Sequence, residues 1–209
     1  MHIDLNKIRL FHITDISNLP SIVSNGGIFS DAAMRIAHAD HSVIGYGDIK
    51  DRRLNQITVS CCDNRYVGEF VPFYYCPRSP MLYTINMGNT GRQPGCQKDI
   101  VHLVTTAIAG MSTGRDWAIS DGNAGAFYTS FYNSPDSLIN LNWEVINSND
   151  WGGNRRNQKS SEFLVAEYFP WSEIKGIGCY NQEALERVKS AIANSPHNVP
   201  VRVLSDWYY

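Results

Sequence analysis

Glu162 is the residue of this sequence whose position most needs a chemical explanation. It directly precedes the run FLVAEYF, in which both alternating faces are mostly apolar, as in a strand that is covered on both sides. A carboxylate at the start of such a strand is costly, because burial removes its hydration. Glu162 is therefore either a solvated residue at a loop end or a group held at the rim of a cleft, where it can stabilise positive charge that develops in a reaction.

Basic residues gather at two places, Arg52-Arg53 and Arg155-Arg156, and Lys159 follows the second pair. The formal net charge of −2 argues against a surface coated with basic residues. Screening over about 10 Å nevertheless lets a local basic patch bind a polyanion. The alternative is that each cluster is a solvated charged loop.

Other candidate side chains have ordinary structural explanations when each is taken alone. His12 ends an apolar run as a structural histidine would, and the aromatic run VPFYYCPRSPML is typical of a core. His38 and His41 lack a second pair of metal ligands, so we predict no metal. The five cysteines are odd in number and form no CxxC pair, which predicts reduced thiols rather than disulfides or a zinc ribbon.

Several catalytic and nucleotide-binding motifs are absent from the sequence. No GxGxxG follows a strand, and no GxxxxGK[ST], GxSxG or HExxH occurs. A dinucleotide fold used for hydride transfer, a P-loop, a serine-hydrolase elbow and a zinc-protease helix are thus not indicated. If the protein uses a nucleotide, it binds the nucleotide in another way.

The elements that must position these residues form one predicted domain over 1–209, because 209 residues with 43% hydrophobic composition can bury one full core. No apolar run is long enough to span a membrane, and the N-terminus lacks a secretory signal, so we expect a soluble, cytoplasmic protein. We predict strands at FHIT, DIVHLVTTAI, EFLVAEYF and VPVRVL.

Helices and loops complete the prediction. A helix follows FHIT with Asp15 or Ser17 as its cap, and a second helix, NQEALERVKSAIANS, is capped by Asn181. In the stretch VGEFVPFYYCPRSPMLYTI, Pro72, Pro77 and Pro80 predict that any strand is broken and lies at a sheet edge or lip. The stretch NSNDWGGNRRNQKSS is predicted to be a long functional loop.

Taken together and in order, FHIT, DIKDRR, VPFYYCPRSPML, KDIVHLV, SDGNA and RRNQKSSEFLV resemble the DarT family, the DNA ADP-ribosyltransferase toxins of bacterial toxin-antitoxin systems. The similarity runs from Phe11 to about Glu167. Two mild departures are Ser161, where the family usually has alanine, and VPFYY, where the family has VPFYF.

The resemblance implies an α+β, ADP-ribosyltransferase-like fold, with split antiparallel sheets and short helices around an NAD cleft. It implies a transferase that moves ADP-ribose from NAD onto a base of single-stranded DNA, most often thymidine, and releases nicotinamide. NAD would be a consumed substrate, so no cofactor is expected. A cognate antitoxin protein would be a partner, the biological role would be that of a toxin, with phage defence as a further possibility, and no membrane would be involved.

The resemblance also assigns roles to residues. Glu162 would be the catalytic carboxylate, because departure of nicotinamide builds positive charge on the ribose, as in glycoside cleavage. Arg53, with Arg52 close behind, would act on the acceptor base, and its role as a base, as a polariser or as an anchor for NAD phosphate stays open. His12, Ile13 and Thr14 would bind NAD, and so would Arg52.

The stretch from Asn147 to Ser161 would be the substrate loop, in which Arg155, Arg156 and Lys159 meet DNA phosphates. An aromatic lip of Tyr74, Tyr75 and Met81 would stack on an unpaired base. Two alternatives from other classes remain open: a transferase of related fold that acts on RNA, and a catalytically silent module that binds single strands.

Overall fold

The structure is a computed structural model, and it describes residues 4–36 and 47–209. His38 and His41, which we predict not to bind a metal, lie outside the described residues. The strands, numbered in chain order, are β1 Arg9–Asp15, β2 Gly27–Phe29, β3 Thr58–Val59, β4 Arg65–Tyr66, β5 Phe70–Tyr74, β6 Ile100–Thr106, β7 Trp117–Ser120, β8 Phe131–Tyr132, β9 Glu162–Ala166, β10 Tyr168–Pro170, β11 Gly176–Cys179 and β12 Val201–Val203.

Short helices connect these strands. The α-helices are α1 Leu19–Ser24, α2 Asp31–Ile36, α3 Gly47–Asn55, α4 Pro80–Asn86, α5 Ala107–Met111, α6 Trp143–Asn147, α7 Arg155–Lys159 and α8 Gln182–Ala191. Short 3-10 helices cover Ile16–Asn18, Val67–Glu69, Cys96–Asp99, Pro135–Asn140, Trp171–Glu173 and Ser205–Trp207. Within the part of the chain that is described, no helix is both long and apolar enough to cross a bilayer.

The main sheet has eight strands in the order β12-β11-β6-β1-β5-β9-β7-β8, and all of its pairings except β11 with β12 are antiparallel. Strands β1 and β6 pair over seven residues, and β5 and β9 pair over five. Between these two pairs, β1 meets β5 at a single register pair, Phe11 with Tyr74. The sheet is therefore split into two halves that diverge from this contact, which confirms the expected α+β fold with split, largely antiparallel sheets.

Pro72 explains why β5 can lie at this central position. Our prediction of a broken strand at a sheet edge is wrong, because β5 is paired with β1 on one side and with β9 on the other. A proline has no N–H to donate to a sheet. The Pro72 carbonyl oxygen faces β1, where it accepts from His12, and N and O of one strand residue point the same way. The missing N–H thus falls at the split, where no strand partner needs it.

Glu167 directly follows β9 and separates it from β10. Its φ is +63°, in the left-handed region that a non-glycine residue rarely adopts. Its backbone N–H donates to Glu69 O at 2.7 Å, and its side chain forms ion pairs with Arg65 and Arg115 at 2.9 and 2.8 Å. The chain turns here and β10 pairs with β2 instead of continuing in the main sheet, so the single predicted strand EFLVAEYF is two strands.

The predicted second helix and the covering of β9 are confirmed. Every residue of β9 is buried, as expected of a strand covered on both sides. The Asn181 side chain accepts from Ala184 N at 2.8 Å at the start of α8, and α8 turns Leu185 and Val188 into the main core. Asp15 caps the turn after β1, as one of the two predicted caps, by accepting from Ser17 N at 2.9 Å.

Candidate active site

A cleft opens where the two halves of the sheet diverge. Its walls come from β1, β2, β5 and the start of β9 and from the helices α1 to α4, and Asn123, Arg156 and Ser160 also line it. Its lining includes His12, Ile13, Thr14, Asn18, Asp31, Lys50, Arg53, Pro72, Tyr74, Met81, Thr84 and Glu162. The site is therefore formed by segments that are far apart in the sequence.

Glu162 is the buried charge of this cleft, with a side chain only 2% exposed. Arg53 donates to it with two parallel hydrogen bonds, Nη1 to Oε1 and Nη2 to Oε2, each 3.0 Å long. The backbone N–H of Ala124 donates to Oε1 at 3.1 Å. A bidentate guanidinium and a backbone amide thus fix both the position and the plane of the carboxylate.

The end of β7 and the following turn hold Glu162 through its backbone N–H. The backbone N–H of Glu162 donates to Ser120 Oγ at 2.9 Å, and the Ser120 hydroxyl donates to the Gly122 carbonyl at 2.7 Å. The next residue, Asn123, donates its backbone N–H to Asn157 Oδ1 on α7 at 3.0 Å. Helix α7, the 120–124 turn and the carboxylate therefore form one hydrogen-bonded unit.

The electrostatics of the site keep Arg53 charged. Burial alone would lower the pKa of Arg53, but the Glu162 carboxylate beside it raises that pKa above its ordinary value. Arg53 is accordingly a guanidinium with only donors, and it does not accept a proton in this state. Tyr74 lies opposite Glu162 in the register of β5 and β9, and burial, followed by the nearby carboxylate, raises the pKa of its phenol, which stays neutral.

His12 borders the same cleft from β1. Its Nδ1 lies 2.9 Å from the Pro72 carbonyl oxygen, which only accepts, so Nδ1 carries the hydrogen. Burial lowers the pKa of His12, and the ring is neutral at pH 7 with Nε2 left as an acceptor. Thr14, two residues along the same strand, accepts from Asn18 Nδ2 through its Oγ1 at 3.1 Å.

The structure brings most of the predicted site residues to one place. Eight of them line the cleft, and they come from six separate elements of the chain: His12, Ile13, Thr14, Arg53, Tyr74, Met81, Arg156 and Glu162. Their roles remain predictions, because burial and contact show where a side chain lies and not what it binds.

Tyr75 and Lys159 do not lie where we predicted. Successive residues of a strand point to opposite faces, so Tyr75 points away from Tyr74 and into the core, where its ring packs at 5.4 Å on Trp143. Lys159 is 3% exposed, and its ammonium donates to the carbonyls of Ile146 and Ser148 at 2.6 and 2.8 Å. Neither side chain is available to DNA here, so both assignments to the DNA surface are wrong.

Arg52 and Arg155 also lie outside the cleft lining. On α3 each residue is turned by about 100° from the one before it, so Arg53 reaches Glu162 while Arg52 faces elsewhere. Arg155 forms ion pairs with Asp150 at 3.1 Å and with Glu144 at 3.8 Å. The predicted loop that carries Arg155 is in part helical, since α7 begins at this residue.

Some residues of the site escaped the sequence analysis. Ser120, the Ala124 amide and Asn157 all act on Glu162 or on its supporting turn; they lie in the quoted segments SDGNA and RRNQKSSEFLV, but no role was predicted for them. Lys50 pairs with Asp31 at 2.9 Å across the cleft wall, and no local pattern marks that pair. Among residues 4–36 and 47–209 there is no cluster of three or more His, Cys, Asp or Glu side chains suited to a metal ion.

Comparison with known proteins identifies similar chains. The sequence model of one family, described as "DarT: ssDNA thymidine ADP-ribosyltransferase, DarT", matches residues 11–209. A DNA ADP-ribosyl transferase of Thermus aquaticus is 34% identical over 202 residues, covering 96% of this chain and 88% of the relative. A DNA ADP-ribosyl transferase-DNA ADP-ribosyl glycohydrolase fusion protein of Thermosipho africanus is 30% identical over 200 residues, covering 92% of this chain and 47% of the fusion.

Two solved structures of Thermus sp. 2.9 DarT have the same fold. One, in complex with ADP-ribosylated ssDNA, matches with a TM-score of 0.90 and 33% identity, covering 97% of this chain and 96% of that chain. The other, in complex with NAD+, matches with a TM-score of 0.88 and 30% identity over 100% of both chains. The fold predicted from the sequence is thus confirmed by superposition as well as by topology.

Proposed function

The chain belongs to the DarT family of ssDNA thymidine ADP-ribosyltransferases, and on that premise we propose that it modifies thymidine in single-stranded DNA with Glu162 as its catalytic carboxylate. It is an NAD-dependent DNA ADP-ribosyltransferase, and NAD is its substrate. The observation that carries the assignment of Glu162 is its burial at the cleft with Arg53 on both oxygens. The catalytic unit is taken to be one domain over residues 1–209.

The role of Glu162 follows from the bond that breaks. Nicotinamide leaves with the electron pair of its bond to ribose C1′, and positive charge develops on the ribose. An ionised carboxylate has about four acceptor positions, and Arg53 with Ala124 uses three of them. One remains for the ribose 2′-hydroxyl, whose hydrogen bond to Glu162 strengthens as the charge grows and so stabilises the transition state.

Arg53 is proposed to polarise the acceptor base rather than to remove its proton. Thymine N3 carries a proton that must be lost to water as N3 bonds to C1′. A guanidinium has five N–H donors, and Arg53 gives two of them to Glu162. The others can donate to the carbonyl oxygens beside N3, where they stabilise the anion that forms when the proton leaves.

The NAD side of the cleft is proposed to be the β1 edge. His12 offers a neutral ring with Nε2 as acceptor, and Ile13 and Thr14 continue the same wall. On the DNA side, Tyr74, Met81 and Arg156 line the cleft near the carboxylate. A target atom on the Watson–Crick edge is hidden in a duplex, so an unpaired strand is the substrate that this cleft can admit.

The biological role is proposed to be that of a toxin acting in the cytoplasm, where NAD is available, with a cognate antitoxin that removes the modification and a role in phage defence. The Thermosipho africanus relative supports this proposal, since its name joins a DNA ADP-ribosyl transferase to a DNA ADP-ribosyl glycohydrolase. All five cysteines are free, as in a reducing compartment. Growth arrest on expression, relieved by co-expression of such a glycohydrolase, would support this role, whereas normal growth would contradict it.

The reaction is tested by incubating the protein with NAD and oligonucleotides that contain one thymidine, as single-stranded DNA and as duplex DNA, and with the matching RNA. Mass spectrometry should show one added ADP-ribose on single-stranded DNA alone, and none when cytidine or guanosine replaces the thymidine. Modification of the RNA would instead favour an RNA-directed transferase. Binding of DNA without any mass change would favour a non-catalytic module.

A further inference from the structure

Helix α4 carries an exposed aromatic ring beside the cleft. Met81 and Thr84 of this helix line the cleft, while Tyr83, between them in sequence, points outward and is 38% exposed. The ring of Tyr83 lies 5.4 Å from that of Trp151 and 5.1 Å from that of Tyr209, measured between centroids. Trp151 and Tyr209 are 6.3 Å apart. All three pairs meet edge to face and none is stacked in parallel.

Arg78, which lies against one of these rings, and Arg156, which contacts the cleft side of α4, have no carboxylate partner among the described residues. Arg78 lies with its guanidinium carbon 4.6 Å from the Tyr209 ring centroid, and it donates only a 3.3 Å hydrogen bond to Asn149 Oδ1. Its Nε is buried and has no hydrogen-bond partner within that part of the chain. Arg156 donates to Thr84 Oγ1 at 3.3 Å and also lines the cleft. By contrast, Arg155 is neutralised by Asp150 and Glu144.

A purely structural role explains only part of this arrangement. Tyr209 does fasten the end of the chain, because its N–H donates to Gln97 Oε1 at 2.9 Å and its hydroxyl donates to Arg78 O at 2.9 Å. That role needs neither the exposed ring of Tyr83 nor two arginines that lack a carboxylate partner in the described part of the chain. Exposed aromatic rings beside unpaired cations are the combination that binds single-stranded nucleic acid, with bases on the rings and phosphates on the cations.

We propose that Tyr83, Trp151 and Tyr209, together with Arg78 and Arg156, form a subsite for a nucleotide that flanks the modified base in single-stranded DNA. The flanking base stacks on the exposed ring of Tyr83 beside the half-buried rings of Trp151 and Tyr209, and its phosphates bind the two arginines. Because Arg156 belongs to both the cleft lining and this subsite, and contacts Thr84 next to Tyr83 on α4, the subsite is continuous with the site of reaction. The inference rests on the proposed function and extends it to a second nucleotide of the substrate.

Abasic substitution tests the stacking. Each nucleotide next to the thymidine is replaced in turn by an abasic one, and KM for the oligonucleotide is measured with wild type, Tyr83→Ala and Trp151→Ala. One abasic position should raise KM of the wild type by about five- to 150-fold, and the same position should cost the two variants little. Trp151→Phe, which keeps a ring, should restore much of the sensitivity. Tyr66→Ala, which removes an exposed ring outside the cleft lining, should behave as wild type.

Salt dependence tests the phosphate contact. The affinity for a labelled single strand is measured by fluorescence anisotropy without NAD at several salt concentrations. The logarithm of the association constant falls as the logarithm of salt concentration rises, and Arg78→Ala should make this fall shallower by about 0.7, the value for one phosphate. Arg155→Ala serves as the control and should leave the slope unchanged.

The two assays distinguish failure of the proposed subsite from failure of the proposed function. An identical abasic profile for wild type and both alanine variants, or an unchanged slope for Arg78→Ala, would overturn the subsite. A wild type that transfers no ADP-ribose would contradict the proposed function instead, and the binding assay, with abasic strands added, would still decide the subsite.

Discussion

At the residue scale the account depends on one ion pair, between Glu162 and Arg53. The sequence predicted the special status of Glu162, because a carboxylate beside a doubly apolar strand needs an explanation. It gave no local signal for Arg53 as the partner, since 109 residues separate the two and pairing at that distance depends on the whole fold. The family resemblance supplied Arg53, and the geometry shows what its guanidinium contacts.

Replacing Arg53 by lysine should impair transfer although the charge is kept. A lysine ammonium is a point charge that cannot bridge both carboxylate oxygens, so Glu162 loses its fixed plane. We expect kcat to fall about ten- to a hundredfold, as for other small misplacements of a catalytic group. Initial rates of strand modification measure this effect.

The neighbouring Arg52→Lys is the matched control, because Arg52 lies on the same helix but outside the cleft lining. Equal losses of kcat in Arg53→Lys and Arg52→Lys would show that transfer does not depend on the bidentate contact between Arg53 and Glu162.

At the element scale, β5 shows where sequence patterns succeed and where they fail. The alternation of the run VPFYY already implies that Tyr74, the last residue of β5, and Tyr75, directly after it, face opposite ways, so the two rings do not form one lip. Pro72 within β5 and the prolines that follow suggested an edge strand, and only the split in the sheet shows why Pro72 is tolerated at the centre. The sequence did not predict helix α7, because the two glycines and several polar residues before it are typical of a loop.

The turn between β7 and β8 should be sensitive to added volume. A Cβ on Gly122 would lie 2.1 Å from Asn157 Nδ2, which is too close for either group. Gly122→Ala should therefore displace α7 or the turn whose Ala124 amide holds Glu162. We expect stability to fall by about 1–3 kcal/mol and kcat to fall about tenfold or more, measured by urea unfolding and by initial rates.

Gly152→Ala is the control, because a Cβ there meets nothing within 4 Å. Wild-type kinetics for Gly122→Ala would mean that the contact between α7 and this turn does not support the carboxylate.

At the scale of the whole molecule, the cleft exists because two half-sheets meet at one register pair. The local pattern predicted several individual strands, including β1, β6 and β12, from their apolar runs. It did not predict that β1 would lie between β6 and β5, since strand order is decided by packing between segments distant in sequence. The burial that this packing creates also sets how stability responds to acid.

Stability should fall between pH 7 and pH 5. His102 on β6 is fully buried, and burial lowers its pKa to about 4, below the unfolded value of about 6.5. The unfolded chain therefore binds more protons in this window, and the free energy of unfolding decreases as pH falls. The expected loss from His102 at pH 5 is about 2 kcal/mol, and His12, whose pKa is also lowered by burial, adds to it in the same direction.

Urea unfolding at pH 7, 6 and 5 measures this dependence. In His102→Gln, which can still donate to the Pro77 carbonyl that His102 Nε2 contacts at 2.9 Å, the curve should be flatter. A steeper curve in that variant, or a wild type whose stability rises toward pH 5, would contradict a neutral buried histidine.

The measurement that tests the central claim most directly is the rate of ADP-ribose transfer to a single-stranded oligonucleotide by Glu162→Gln. Glutamine keeps the shape of the side chain and an acceptor for the Ala124 amide but removes the charge. The account predicts a rate at least about a hundred times below wild type, with retained binding of the strand and a folded protein by circular dichroism. Glu173→Gln, which removes a surface carboxylate paired with Lys175, should keep the wild-type rate. A folded Glu162→Gln protein whose rate stays within about tenfold of wild type would contradict the claim that Glu162 stabilises the transition state.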